Sequence, residues 1–426
     1  MHEKIAVMFP GSGSQYKGMM KKLYNTEYCV KEVFDQADDI LRTDLRKTVT
    51  EGSIIELNKI DNMLLGVFVS DVAMYRLFQK EIGYKPDCFM GHSLGEYAAL
   101  VAAEILPFEE ALQLVYLRSE IAKEVQEKTY GGMTICKGVE ILKVEELCKQ
   151  INIEQGFCVS IGCYNTKSQV SIVGKDQERQ VVEKAIRKIY HNAHIISLIG
   201  SAPYHSILMK DKAKMLREML ICCHYNPIKN IVISNVTAKP YNNAEDVIEG
   251  LTKQLYHPVL WEQTLAYGNE LNISKYVEIG PLNVLKHIFI DSGVEGEVFT
   301  YDELHDRYYL KNLFPKNEEL IVNSYQIVIE ECISHVRSLR NYQNVACTEI
   351  ERVKRQYQEM IRIQKQSELG QYIVGEDEAR EALKMLYAMF QVRGTPMQER
   401  NRRLIQIGNN SGNLELCMEW MEMKKT

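Results

Sequence analysis

The chain has 426 residues, 46% hydrophobic and 25% charged, with Lys+Arg 51 against Asp+Glu 57. That length suggests two or three compact units of ordinary globular composition. A net charge of −6 excludes a strongly basic nucleic-acid-binding surface.

The chain opens on a strand-like apolar run, Ile5-Ala6-Val7-Met8-Phe9, without a basic stretch and apolar core before it. No secretory signal is expected, and a cytoplasmic location is. The 11 cysteines are odd in number and scattered, with no Cys-x-x-Cys pair, so reduced thiols are expected. Cys158 and Cys163 with nearby histidines do not have a recognised zinc spacing, and no metal site is assigned. The longest apolar run, Met63 to Phe78, is broken by Asp71 and Arg76 and is too short to span a bilayer, so no membrane partner is expected.

Next comes Cys88-Phe89-Met90, strand-like, then Gly91-His92-Ser93-Leu94-Gly95, then the helix-competent stretch 96–103. This is a Gly-x-Ser-x-Gly nucleophile elbow in its strand–turn–helix setting. Side chains at the two glycine positions would collide with neighbouring backbone. The turn also sets Ser93 at a helix N-terminus, where free N–H groups can stabilise an oxyanion. From 133 to 198 the apolar patterns read strand, helix, strand, strand, helix, strand, the order of a split βαβ unit. We expect a small ferredoxin-like subdomain, 129–198, inserted into a larger parallel-sheet, α/β-hydrolase-like domain, 1–128 and 199–300. The larger sheet takes its strands from the N-terminus, the segment around Met90, and those near Ile231 and Tyr276 to Ile279.

Glu297 to Leu369 contains no glycine and one proline, Pro315. There Ile321, Tyr325, Val328, Cys332, Val336 and Leu339 recur at steps of three and four, as do Ile350, Val353, Tyr357 and Met360. Ala382, Met385, Leu386, Met389 and Phe390 outline another helix ending near Gly394. Residues 301–426 therefore read as an α-helical C-terminal extension.

A serine nucleophile needs a base. His205, in Ser201-Ala202-Pro203-Tyr204-His205-Ser206, leads because its proline-stiffened loop can fix an imidazole, but spacing alone does not separate it from His257. His92 adjoins the nucleophile, yet its side chain should point away on the elbow.

Seven blocks in order now carry a resemblance. They are Phe9-Pro10-Gly11-Ser12-Gly13-Ser14-Gln15, Gly91-His92-Ser93-Leu94-Gly95-Glu96, Leu117-Arg118-Ser119, the block around His205, Asn235-Val236, Gln254-Leu255-Tyr256-His257-Pro258-Val259 and Glu278-Ile279-Gly280-Pro281. Over residues 1 to about 300 the chain resembles the malonyl-CoA:acyl carrier protein transacylases and related acyltransferases of fatty acid and polyketide synthesis. The resemblance implies that Ser93 is acylated, that His205 is its base and that the Gln254 carbonyl orients that base. It places the oxyanion between the N–H groups of Ser12 and Leu94 and the malonyl carboxylate on Arg118, with Asn235 and His92 in support. It further implies malonyl-CoA as donor, an acyl carrier protein as acceptor, no metal or redox cofactor, and a trans-acting role beside a synthase. The resemblance does not cover the C-terminal helices: their apolar stripes either pack on the α/β body or on each other, or form a docking element for a synthase or a second copy of the chain. The chain departs from the family at Ser12, usually glutamine, at Leu282-Asn283, where a glycine is common, and at Ile121-Ala122, usually with a methionine. These bear on efficiency and acyl selectivity more than on reaction class. Three other readings compete. They are a carrier-protein thioesterase of the same family, which tends to lack the arginine, an α/β-hydrolase esterase with a triad acid, and a binding scaffold.

Overall fold

The computed structural model describes residues 3–198, 200–314, 318–339, 347–368 and 372–422. The chain divides into two compact units. One comprises Met1–Asn25, Val30–Gln79 and Tyr84–Asn312; the other Thr26–Cys29, Lys80–Gly83 and Leu313–Thr426.

Among the described residues of the first unit, nine strands form two sheets. They are β1 (Ile5–Phe9), β2 (Cys88–Gly91), β3 (Gly131–Lys137), β4 (Ser160–Thr166), β5 (Gln169–Lys175), β6 (His194–Leu198), β7 (Ile231–Ile233), β8 (Lys275–Glu278) and β9 (Glu297–Thr300). The larger sheet is wholly parallel, in the order β7-β2-β1-β8-β9. Strands β1, β2 and β8 are buried throughout, as parallel strands covered on both faces must be. The apolar run of the sequence becomes the core of helix Ile60–Ile82. Its Asp71 is fully buried with both carboxylate oxygens unpartnered. Burial first, then the nearby Glu278, raises its pKa well above the usual carboxylate range.

The smaller sheet is antiparallel, in the order β4-β5-β3-β6. Helices Ile141–Gln155 and Asp176–Ile189 fall between β3 and β4 and between β5 and β6. Apolar residues of both helices, Val144, Ile151, Val182 and Ile186 among them, close one core with Val170 and Ile172 of β5.

The expected break at 300 falls later. Strand β9 pairs in parallel with β8, a fifth strand that the sequence pattern did not indicate. Four residues are too few for a period-two signal, and they open the glycine-free stretch. Beyond β9, Asp306 accepts from the Thr300 N–H (2.8 Å) and from Lys286 Nζ (2.7 Å), and Glu303 also binds Lys286 (3.0 Å). These ties keep the chain with the first unit through Asn312.

The second unit holds helices Glu318–Ser338, Cys347–Glu368, Glu376–Val392, Met397–Ser411 and Leu414–Glu422. Val328, Cys332 and Val336 pack with Leu386, Phe390 and Leu404 in its core. The third helix stops at Val392, before Gly394 at φ +64°, as the spacing indicated; the last two helices were not foreseen. The expected positions Ile321 and Ile350 lie outside the residues whose side chains are described. Among the described residues no helix is long and apolar enough to cross a membrane.

Replacing Asp306 by alanine removes a charge-assisted bond to Lys286 and the acceptor for the Thr300 N–H. We expect a loss of about 1–3 kcal/mol, measured by denaturant unfolding of the first unit's transition.

Candidate active site

The site starts at the end of β2. Ser93 follows it at φ +54°, and helix Gly95–Ala102 begins two residues later. A non-glycine residue in this left-handed region is strained, so its surroundings must hold it. A side chain at Gly91 would lie 2.1 Å from the Gly95 backbone, and one at Gly95 would lie 2.1 Å from the Phe9 carbonyl oxygen. Asn235, just after β7, completes the clamp. Its Oδ1 accepts from the Ser93 N–H (2.7 Å) and its Nδ2 donates to the Gly91 carbonyl (2.6 Å). Gln254 Nε2 donates to the Ser93 carbonyl (2.8 Å).

His205 reaches the serine. Its Nε2 lies 2.7 Å from Ser93 Oγ, and its Nδ1 lies 2.7 Å from the backbone carbonyl of Gln254. A carbonyl can only accept, so Nδ1 carries the proton and Nε2 is left free to take the serine proton. Among the described residues no carboxylate bonds this ring, so the triad acid of an α/β-hydrolase is not present. His205 is 2% exposed and sits at φ +63°. Burial first, then the charge of Arg118, lowers its pKa to about 3 against the opposing pull of the Gln254 carbonyl, so the ring is neutral near pH 7. His257 is exposed and packs against Tyr256 instead.

Arg118 comes from the helix Phe108–Thr129 and is 1% exposed. Its Nη2 donates to Ser93 Oγ (3.0 Å), while Nε and Nη1 have no partner among the described residues. The guanidinium carbon lies 4.5 Å from the centre of the Tyr204 ring and 5.5 Å from that of Tyr97. Stacking holds the cation in place without using up its donors. A buried cation with unpartnered N–H donors beside a nucleophile has the chemistry to hold a carboxylate.

The backbone N–H groups of Leu94 and Ser12 donate no hydrogen bond among the described residues. Ser12 lines the same cavity of about 350 Å³ as Ser93, His205 and Tyr204. His92 bonds a residue other than Ser93. Its Nε2 lies 2.9 Å from Asn165 Oδ1 of β4, and its ring meets Trp261 edge-on. Leu282, standing where a glycine is common, is at φ +63°, a strained conformation tied down by Asp302 and Thr300. Cys163 is a buried thiol at the cavity, pushed up to about 12 by burial. Among the described residues no group of three or more His, Cys, Asp or Glu side chains could hold a metal.

The sequence reasoning missed three residues of this network: Asn165, Tyr241 and the role of Glu96. Only Glu96 had a local signal, as the acidic first-turn residue of the elbow helix.

A serine on an elbow, a histidine aimed by a carbonyl and a buried arginine define a site for acyl chemistry on an acidic acyl group. Residues 7–305 match the acyl transferase domain family, and the chain belongs to it. It is 32% identical over 345 residues to a malonyl CoA-acyl carrier protein transacylase of Bacillus subtilis, covering 81% of this chain and 85% of that one. That match is longer than the family domain and so reaches into the C-terminal segment, which the resemblance noted above did not cover. Among solved structures, the malonyl CoA-acyl carrier protein transacylase of Coxiella burnetii matches with TM-score 0.70 and 29% identity, over 74% of this chain and 99% of that one. A malonyl-transacylase in complex with a type II polyketide acyl-carrier protein matches with TM-score 0.69 and 30% identity, over 73% and 100%.

Gly95→Ala should cost at least about 3 kcal/mol, because the new methyl group meets backbone that cannot move aside. Gly156→Ala, at φ +67° in open space, should cost about 1 kcal/mol. Paired thermal melts test the contrast.

Proposed function

We propose that this chain is a malonyl-CoA:acyl carrier protein transacylase working by a serine–histidine dyad in a ping-pong reaction. His205 Nε2 takes the proton of Ser93 as Oγ adds to the malonyl thioester carbonyl. The N–H groups of Leu94 and Ser12 receive the oxyanion. As it collapses the carbon–sulfur bond breaks, and the CoA thiolate takes the proton held on His205. The pantetheine thiol of a carrier protein then enters the same cleft and gives its proton to His205 while its sulfur attacks the acyl-serine. Collapse breaks the carbon–oxygen bond and returns the proton to Ser93. No other co-reactant enters this sequence.

The observation that carries the reading is Arg118, whose two unpartnered donors lie on a guanidinium already bonded to the nucleophile. A malonyl carboxylate gives this guanidinium a charged acceptor, whereas an acetyl group leaves a buried cation unpaired. The same arginine disfavours the thioesterase reading. We assign catalysis to the unit ending at Asn312, with the antiparallel sheet forming one wall of the cleft.

Incubation with malonyl-CoA should give a mass adduct of one malonyl group that is absent from Ser93→Ala. Arg118→Ala should slow malonyl acylation by roughly 10²-fold, the loss expected for bonds to a charged group, and narrow the preference over acetyl-CoA. An adduct that survives Ser93→Ala, or an unchanged preference in Arg118→Ala, would count against the reading.

A further inference from the structure

Glu96 follows the elbow's second glycine and is fully buried. Both of its carboxylate oxygens are in use. Oε1 accepts from the Tyr241 hydroxyl (2.6 Å) and the Asn235 backbone N–H (3.0 Å), and Oε2 accepts from Gln254 Nε2 (2.5 Å). Two of those partners each hold part of the reacting pair. Asn235 clamps the backbone of the nucleophile, through the Ser93 N–H and the Gly91 carbonyl. Gln254 bonds the Ser93 carbonyl through its side chain and aims His205 through its own backbone carbonyl.

We propose that Glu96 is a positioning residue for acyl transfer, one carboxylate that ties the segment clamping Ser93 to the residue that aims His205. The inference rests on the acyl-transfer reading above. Stability alone is a poor reason for such a group, since a buried carboxylate is costly to desolvate and an apolar side chain could fill its space. What an apolar side chain could not do is join Asn235 and Gln254 on one rigid anion. That junction sets the relative place of Ser93 and His205, 112 residues apart in the chain, and a displacement of about 1 Å there can cost on the order of 10²-fold in rate.

The groups facing Glu96 are Tyr241 after β7, Arg118 from the helix Phe108–Thr129, Gln254 from the end of the helix Ala244–Gln254, and its neighbour Tyr97. Burial raises its pKa to about 7, against the lowering effect of Tyr241, Asn235, Gln254 and Arg118. A proton on Oε2 removes the acceptor for Gln254 Nε2. Acylation should therefore fall as pH drops through about 7, whereas His205 takes its own proton only far lower.

The test compares the full chain with Glu96→Gln and Glu96→Ala in single-turnover acylation by malonyl-CoA from pH 5.5 to 8.5, with KM and the melting temperature measured alongside. Glutamine is isosteric, so it carries the test if the alanine variant does not fold. We expect Glu96→Gln to lower the maximal acylation rate about 10- to 100-fold with KM little changed, and to abolish the limb near pH 7. A Glu96→Gln chain that matches the wild type in rate and pH profile overturns the inference, as does a loss that follows KM or melting temperature instead. A wild-type chain that forms no malonyl adduct contradicts the acyl-transfer reading itself.

Discussion

Ser93 sits at φ +54°, a conformation that a side-chain-bearing residue adopts only when its neighbours leave no alternative. The rest of the cleft is arranged around that one strained residue. Gly91 and Gly95 let the chain turn against the end of β1, and Asn235 and Gln254 bind the serine's own N–H and carbonyl. In return the turn leaves the next N–H, that of Leu94, without a partner among the described residues. Fixing the backbone in advance means that the reaction does not have to wait for it.

A permanent cation and a neutral imidazole share this small space, and they act on each other. The charge of Arg118 helps to hold His205 neutral, and a neutral ring is what a base must be. On the proposed reading, the carboxylate of a malonyl group offsets that charge. The imidazolium formed when His205 takes the serine proton then faces less repulsion than it would beside an unpaired guanidinium. A dicarboxylic acyl group would thereby favour its own transfer, which links substrate choice to the strength of the base through one side chain.

The legible parts of the sequence were those with a local cause. The elbow could be read because its glycines, strand and helix are contiguous, and the order of elements between 133 and 198 because each has several residues of clear period. His205 and His257 could not be told apart by spacing, since what distinguishes them is a carbonyl 49 residues from His205. The resemblance to a family supplied that choice, and with it Gln254 and Arg118. Strand β9 was missed because its pairing with β8 defines it, not its own four residues. Glu96 was in view as part of the motif, but its partners lie 139, 145 and 158 residues away, beyond any local pattern.

The central claim is that the acyl group on Ser93 is destined for a thiol and not for water. Purified malonyl-enzyme, freed of CoA, can be split into two portions and followed by mass spectrometry. One receives a carrier protein bearing phosphopantetheine and the other the same carrier without it. The account predicts rapid loss of the adduct in the first, with malonyl appearing on the carrier, and a long-lived adduct in the second. Equal rates of loss in both, with free malonate as the product, would contradict it.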